Sequence, residues 1–212
     1  MQITPQITPD SSFSLEHLRS ALASYQPRLT DRSAWLGHTH AAVALLLREG
    51  RRGLEILFIL RAEFQGDPWS GNIAFPGGHI EADDETVRAA AERETLEEIG
   101  IDLQQEEFMG RIDDVAGAHL PVIVSCFTYH VAASTPLFPN REINETFWVP
   151  LADLADPDRQ RLHYVIFRGE QLERPAIDLL GPGRTVLWGI TYRLVSNFMQ
   201  LTGVPLPPTP IP

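Results

Sequence analysis

The run Phe75-Pro-Gly-Gly-His-Ile-Glu-Ala-Asp-Asp-Glu-Thr-Val-Arg-Ala-Ala-Ala-Glu-Arg-Glu-Thr-Leu-Glu-Glu-Ile-Gly-Ile101 constrains this chain more than any other stretch. It opens with Gly-Gly after Pro, turn chemistry that lets the backbone adopt positive φ or approach a neighbour closely. It continues as a helix predicted over Asp84–Ile99 and stops at Gly100, the residue type best suited to a left-handed helix end. Within that helix Glu94, Glu97 and Glu98 are spaced so that, at about 100° per residue, their carboxylates share one face. Val87, Ala90 and Ala91 continue the same face toward the helix start, whereas Arg88 and Glu92 point elsewhere. The acids therefore lie on the stripe that the helix buries. Like charges at this spacing destabilise a bare helix by roughly 0.2–0.5 kcal/mol per pair, and burying them unpaired is several-fold worse. A cation must compensate, and Arg93 can orient one acid but is too close in sequence to neutralise all three. Hard divalent ions with oxygen ligands fit the need, Mg²⁺ being held typically by a few carboxylates, substrate phosphates and water.

Elsewhere the pattern is that of an α/β domain. The apolar, branched runs His40–Leu47 and Leu54–Leu60 flank the turn Gly50-Arg-Arg-Gly53 and predict a hairpin. Further strands are expected over Phe108–Val115, Val122–Val131, Glu145–Pro150 and Tyr164–Phe167, and a second long helix over Leu187–Leu201, closed by Gly203. Strands interleaved with two substantial helices imply a mixed central sheet with helices against it. Residues 1–33 read as an N-terminal helical arm with Ser14 as N-cap and Leu15, Leu18 and Leu22 along one face. Residues 34–203 read as the main domain, and 204–212 as an extended Pro-rich tail.

A formal net charge of −11 repels polyphosphate backbones and anionic lipid, so no nucleic-acid or membrane partner is expected. A small anionic substrate needs local cations or metal to enter such a field. The single cysteine, Cys126, lies in an apolar run and reads as core packing, which together with the lack of a signal-peptide pattern predicts a cytoplasmic protein.

The loop-to-helix segment resembles the Nudix box, G-x5-E-x7-R-E-U-x-E-E-x-G-U, where U is apolar. Arg93, Glu94, Glu97, Glu98, Gly100 and Ile101 match its second half, with Thr95 a departure at the first U. Gly78 and Glu85 match its first half only with one residue inserted between them, leaving open whether Glu85 stabilises the loop or is a first-turn acid favoured by the helix dipole. The resemblance implies an α/β/α sandwich and a pyrophosphohydrolase that uses Mg²⁺ or Mn²⁺ to split a phosphoanhydride in a nucleoside-diphosphate-linked small molecule. It further implies that Glu94, Glu97, Glu98 and the Gly78 carbonyl hold the metal and that Arg93 orients the acids. Gly77, Gly78, His79 and Arg61 would contact substrate, a salt bridge to a box acid being the plainer role for Arg61. The general base stays open between the box and a downstream acid. Glu145 is the stronger downstream candidate, whereas Glu142 reads as a solvated residue at a strand entrance. His119 reads as a surface-loop residue, and Trp69 and Trp188 as core or rim aromatics able to stack on a base.

A subtler resemblance, carried by Leu60-Arg-Ala62, Gly71-Asn-Ile-Ala-Phe-Pro-Gly-Gly78 and Leu187-Trp-Gly-Ile-Thr-Tyr192, is to the coenzyme A pyrophosphatase branch of Nudix proteins. That branch places an arginine before the Gly71 equivalent, whereas Glu63-Phe-Gln-Gly-Asp-Pro-Trp-Ser70 contains no basic residue. One lost charge-assisted phosphate contact is worth roughly 1.5–3 kcal/mol. The expectation is thus coenzyme A cleavage with weak discrimination against dephospho-coenzyme A, unless Arg61 or Arg193 replaces the missing cation. An ADP-ribose or nucleotide-sugar pyrophosphatase and a non-catalytic Nudix-fold ligand-binding protein are the alternatives, and homodimer formation is left open.

Overall fold

The structure is a computed structural model in which residues 13–31, 37–65, 69–118, 120–167 and 170–209 are described. Strands β1 (Thr39–Gly50) and β2 (Gly53–Arg61) form the expected hairpin, with Leu47 opposite Ile56 and Gly50 opposite Gly53. β1 also runs parallel to β6 (Val122–His130), and β6 pairs antiparallel with β5 (Glu107–Ala116). β2 carries β7 (Ile143–Pro150) and the two-residue β3 (Ile73–Ala74) antiparallel, and β4 (Gly77–His79) pairs with β1. The result is a mixed seven-stranded sheet.

Side-chain alternation divides the core into two layers. Leu45, Leu47, Ile56 and Phe58 face one way, onto α1 (Leu15–Ser24), α3 (Leu151–Leu154) and α4 (Gly189–Leu201). Ala44, Leu46, Leu57 and Ile59 face the other way, onto α2 (Val87–Ile99). The mixed sheet expected from the pattern, and the α/β/α sandwich that the resemblance implies, are therefore present. A second, three-stranded sheet, β8 (Gln160–Phe167), β9 (Glu170–Ile177) and β10 (Leu187–Trp188), stands beside it.

Three differences from the sequence expectations have local causes. α2 begins at Val87, not Asp84, because Thr86 caps it by accepting from the Ala89 amide while Asp84 is engaged by Arg93 and by the Glu81 amide. Leu187 and Trp188 pair with Ile177 and Ala176 as a strand, so α4 starts only at Gly189. β9 has no periodic pattern and contains Pro175, which is tolerated where β9 has a neighbour on one side only. The N-terminal helix α1, capped by Ser14 as expected, packs on the domain: Leu18 and Leu22 are buried in the core, and Leu22 packs against Gly110 of β5. The chain beyond it is clamped by β5, where Asp113 accepts from the Tyr25 hydroxyl and the Arg28 amide, and Asp114 from the Thr30 amide. Among the described residues no helix is long and apolar enough to cross a membrane.

Candidate functional site

Two pairs of small residues set the site. Ala90 and Ala91 of α2 face Ala42 and Ala44 of β1, all fully buried, so the helix lies close against the sheet and against β4. Its last turn then reaches the Gly77-Gly78 backbone. The Gly77 amide donates to Glu98 Oε2 at 2.8 Å. Gly77 has φ 143°, and a β-carbon there would collide with the backbone of Ala42 and Val43. At Gly78 a β-carbon would fall 2.5 Å from the Glu94 carboxylate. Only glycines let this loop and these two acids share the space.

Both acids are strained electrostatically. Burial pushes the Glu98 carboxyl up to about 7, with the Glu94 and Glu142 charges adding to the shift while the Gly77 amide and Arg61 oppose it. Burial also raises Glu94 above the ordinary carboxylate range; Arg93 opposes the shift and the Glu97 and Glu81 charges reinforce it. The site is short of positive charge. Arg61, at the end of β2, lies 3.6 Å from Glu98 Oε1, the salt bridge that sequence suggested as its plainer role.

Arg93 is the organiser. Its Nε and Nη2 donate to the two oxygens of Asp84 at 3.0 and 3.1 Å, Nη2 also donates to the His79 carbonyl, and Nη1 donates to Glu94 at 3.0 Å. This settles the inserted residue in the box. Asp84, six positions after Gly78, ties the loop to the helix and is held below its usual range chiefly by Arg93, whereas Glu85 is exposed. Thr95, the departure at an apolar box position, is buried with its hydroxyl donating to the Ala91 carbonyl. Asp84→Ala is expected to destabilise the protein by about 1.5–3 kcal/mol, the range for hydrogen bonds to charged groups, and Glu85→Ala by less than about 0.5 kcal/mol. Urea unfolding of the two variants checks this, and equal losses would return the anchoring role to Glu85.

Convergence of all three helix acids is only partly realised. Glu97 is 57% exposed and leans toward Arg93 at 3.6 Å. Among the described residues no three acidic, His or Cys side chains gather as a preformed ion cage. The donor set still fits a hard divalent ion: a buried and a half-buried carboxylate that repel each other, a third within a helical turn, and a backbone cradle that a β-carbon at Gly78 would fill. Such a ligand set is open, to be completed by substrate oxygens and water.

The two off-helix acids differ in their surroundings. Glu145, opposite Leu60 on β7, is ion-paired with Arg184 at 2.5 Å. Glu142 is the acid whose charge acts on Glu98, and its carbonyl receives the Ala62 amide next to Arg61. No local pattern separates the two; strand register does. His79 sits on β4 with its imidazole edge-on to Trp69, ring centroids 6.1 Å apart. Trp188 donates from its indole to Asn72. His119 lies outside the described residues.

A cleft of about 720 Å³ opens beside Gly77–His79. It runs between the main sheet at Val43 and Val124, the start of α4 at Ile190 and Tyr192, and the β8–β9 hairpin at Val165. Its walls are mainly apolar, and Trp69 and Trp188 both line it, as rim aromatics should.

The family profile described as the NUDIX domain matches residues 38–168. An uncharacterized protein of Schizosaccharomyces pombe is 35% identical over 117 residues, 50% of this chain; the chain spans only 34% of that relative's length. The mitochondrial coenzyme A diphosphatase NUDT8 of Homo sapiens is 29% identical over 189 residues, covering 86% of this chain and 75% of the human protein. Among solved structures, a MutT/nudix family protein from Enterococcus faecalis superposes with a TM-score of 0.50 at 17% identity, over 90% of this chain and 70% of that one, a likeness of fold.

Proposed function

This chain belongs to the Nudix family of hydrolases, and we propose that it cleaves the phosphoanhydride of coenzyme A or a closely related nucleoside diphosphate derivative with Mg²⁺ or Mn²⁺. The observation that carries this reading is the pair of carboxylates, Glu98 buried and Glu94 half-buried, drawn against Gly77-Gly78 at the mouth of a large apolar cleft. Glu94, Glu97, Glu98 and the Gly78 carbonyl would hold the cation. When bound, a divalent ion neutralises charge on the diphosphate and makes water more acidic. The chain's own part is positioning. Arg93 fixes Glu94 through one nitrogen while its other two tie down the loop. The Gly77 amide holds Glu98 in one orientation. Arg61 stands where it meets both Glu98 and a substrate in the cleft. Glu142, exposed and near enough for its charge to act on Glu98, is the off-helix carboxylate we propose to take a proton from the attacking water.

The cleft supports the coenzyme A reading. A diphosphate at Gly77–Gly78 leaves an apolar channel for an extended arm and two tryptophans for a base, and the human relative is by name a coenzyme A diphosphatase. Cys126, fully buried, fits a reducing cytoplasm, where we place the protein. Hydrolysis of coenzyme A, ADP-ribose and a nucleotide sugar with Mg²⁺ or Mn²⁺ is the test. Release of 4′-phosphopantetheine and 3′,5′-ADP is expected. Turnover of ADP-ribose or the nucleotide sugar alone would favour the alternative pyrophosphatases, and no turnover with any of them would leave a ligand-binding protein.

A further inference from the structure

The charge of Glu142 acts on Glu98, yet the Glu142 carboxylate makes neither a hydrogen bond nor an ion pair among the described residues. Where that carboxylate stands is therefore decided by the backbone that carries it. Two bonds hold this backbone. The Glu142 carbonyl accepts from the Ala62 amide, which continues the β2–β7 pairing past Ile143, and the Glu142 amide donates to Asn140 Oδ1 at 2.8 Å. The first bond belongs to the sheet, whereas the second depends on one side chain.

Asn140 also grips the end of α2. Its amide donates to the Glu98 carbonyl at 2.8 Å and its Nδ2 to the Glu97 carbonyl at 3.0 Å, while the Phe138 amide donates to the Ile99 carbonyl at 2.8 Å. A helix ends on carbonyls that find no partner within it. Here the segment that leads into β7 supplies partners for three of them. One half-buried residue thus bonds the backbone of two helix acids and, through its side-chain oxygen, the backbone of the off-helix acid. A carboxamide presents a rigid donor and acceptor at once, and an aspartate in its place keeps only the acceptor.

We infer that Asn140 is a positioning residue for the hydrolysis, setting the Glu142 carboxylate against the metal-binding end of α2 without itself touching substrate. The inference rests on the hydrolase reading above and adds the part that joins its two halves. Displacing a reacting group by about 1 Å costs up to about a hundredfold in rate. The two side-chain bonds of Asn140 oppose a slide of that size between the helix end and the start of β7.

The test is steady-state kinetics of Asn140→Ala, Asn140→Asp, Glu142→Gln and the double variant Asn140→Ala with Glu142→Gln, on whichever diphosphate compound the unmodified protein cleaves. Calorimetric Mn²⁺ affinity and melting temperature are measured beside it. Asn140→Ala is expected to lower kcat by about ten- to a hundredfold, with KM and Mn²⁺ affinity close to those of the unmodified protein. On the Glu142→Gln background the same substitution should cost less than about twofold, because no base remains to be misplaced. Asn140→Asp keeps the acceptor for the Glu142 amide and loses the donor to the Glu97 carbonyl, so it should melt lower yet retain most of kcat. A residue that merely supported the fold would lose kcat in step with melting temperature. An undiminished loss on the Glu142→Gln background, or unchanged kcat in Asn140→Ala, would overturn the inference and leave the hydrolase reading standing. So would a fall in kcat of more than about tenfold in folded Asn140→Asp, which decides the matter if Asn140→Ala does not fold. Unchanged kcat in Glu142→Gln would remove both the base and the residue that positions it. No turnover of any diphosphate compound by the unmodified protein would remove the hydrolase reading itself and the inference with it.

Discussion

Glu98→Gln is expected to lower kcat by at least about two orders of magnitude while raising, not lowering, the stability of the metal-free protein at pH 8. Glu98 is 2% exposed and its carboxyl is pushed up to about 7 from an ordinary value of 4.5. At acid pH below the ordinary value the group is protonated folded or unfolded and burial imposes no charge penalty. As pH rises toward 7 the unfolded chain ionises first, so the folded state loses stability through that window, by on the order of 3 kcal/mol at the plateau. Glutamine has no charge to bury and keeps an oxygen for the Gly77 amide, so the loss disappears, less whatever the 3.6 Å contact to Arg61 contributes. A core residue would behave in the opposite way, since its substitution lowers stability and activity together. Glu94→Gln is expected to follow the same pattern more weakly in stability, being only half-buried. In the same series Glu142→Gln should slow turnover far more than Glu145→Gln, whose carboxylate is engaged by Arg184. Thermal melts at pH 5 and pH 8 in EDTA, beside kcat in Mg²⁺, check the set. Destabilisation by Glu98→Gln at pH 8 with turnover intact would make the acid structural.

The parts of this molecule that were legible in the sequence are those built from local periodicity. The β1–β2 hairpin follows from branched apolar runs around Gly50 and Gly53, and α2 follows from alanines in phase with Glu94 and Glu98 and closed by Gly100, whose φ is 76°. Phase also put the acids on the buried face. It could not say that Glu97 would swing outward to Arg93, because i and i+3 positions diverge enough for one side chain to reach solvent while the next stays under β4. β3 and β4 are too short to leave a pattern and exist because the Gly77-Gly78 backbone closes on β1 and the preceding chain on β2. Asp84 was hidden by an insertion, although its six-residue distance from Gly78 was the available signal. Of the cleft, single lining residues such as Gly77, Gly78, His79, Trp69 and Trp188 could be named from sequence, but not its shape. Arg174 and Arg193 meet Gly77 only through the packing of β9 and α4 on the main sheet, and sequence distance says nothing of that.

Removal of divalent metal should have the largest effect of all, taking hydrolysis to background. Glu94 and Glu98 repel each other inside a poorly solvated pocket, and in this chain Arg93 is committed to Asp84 and the loop, so a diphosphate brought among them adds further negative charge that Arg61 alone does not offset. An oxygen-only donor set favours Mg²⁺ or Mn²⁺ over Zn²⁺, which prefers nitrogen and sulfur. Turnover of coenzyme A by EDTA-stripped protein, followed as each ion is added back, tests the assignment of the acid cluster most directly. Activity that is absent without metal, returns saturably with Mg²⁺ or Mn²⁺ and poorly with Zn²⁺, and does not return in Glu98→Gln is the predicted result; robust hydrolysis in the stripped protein would contradict it.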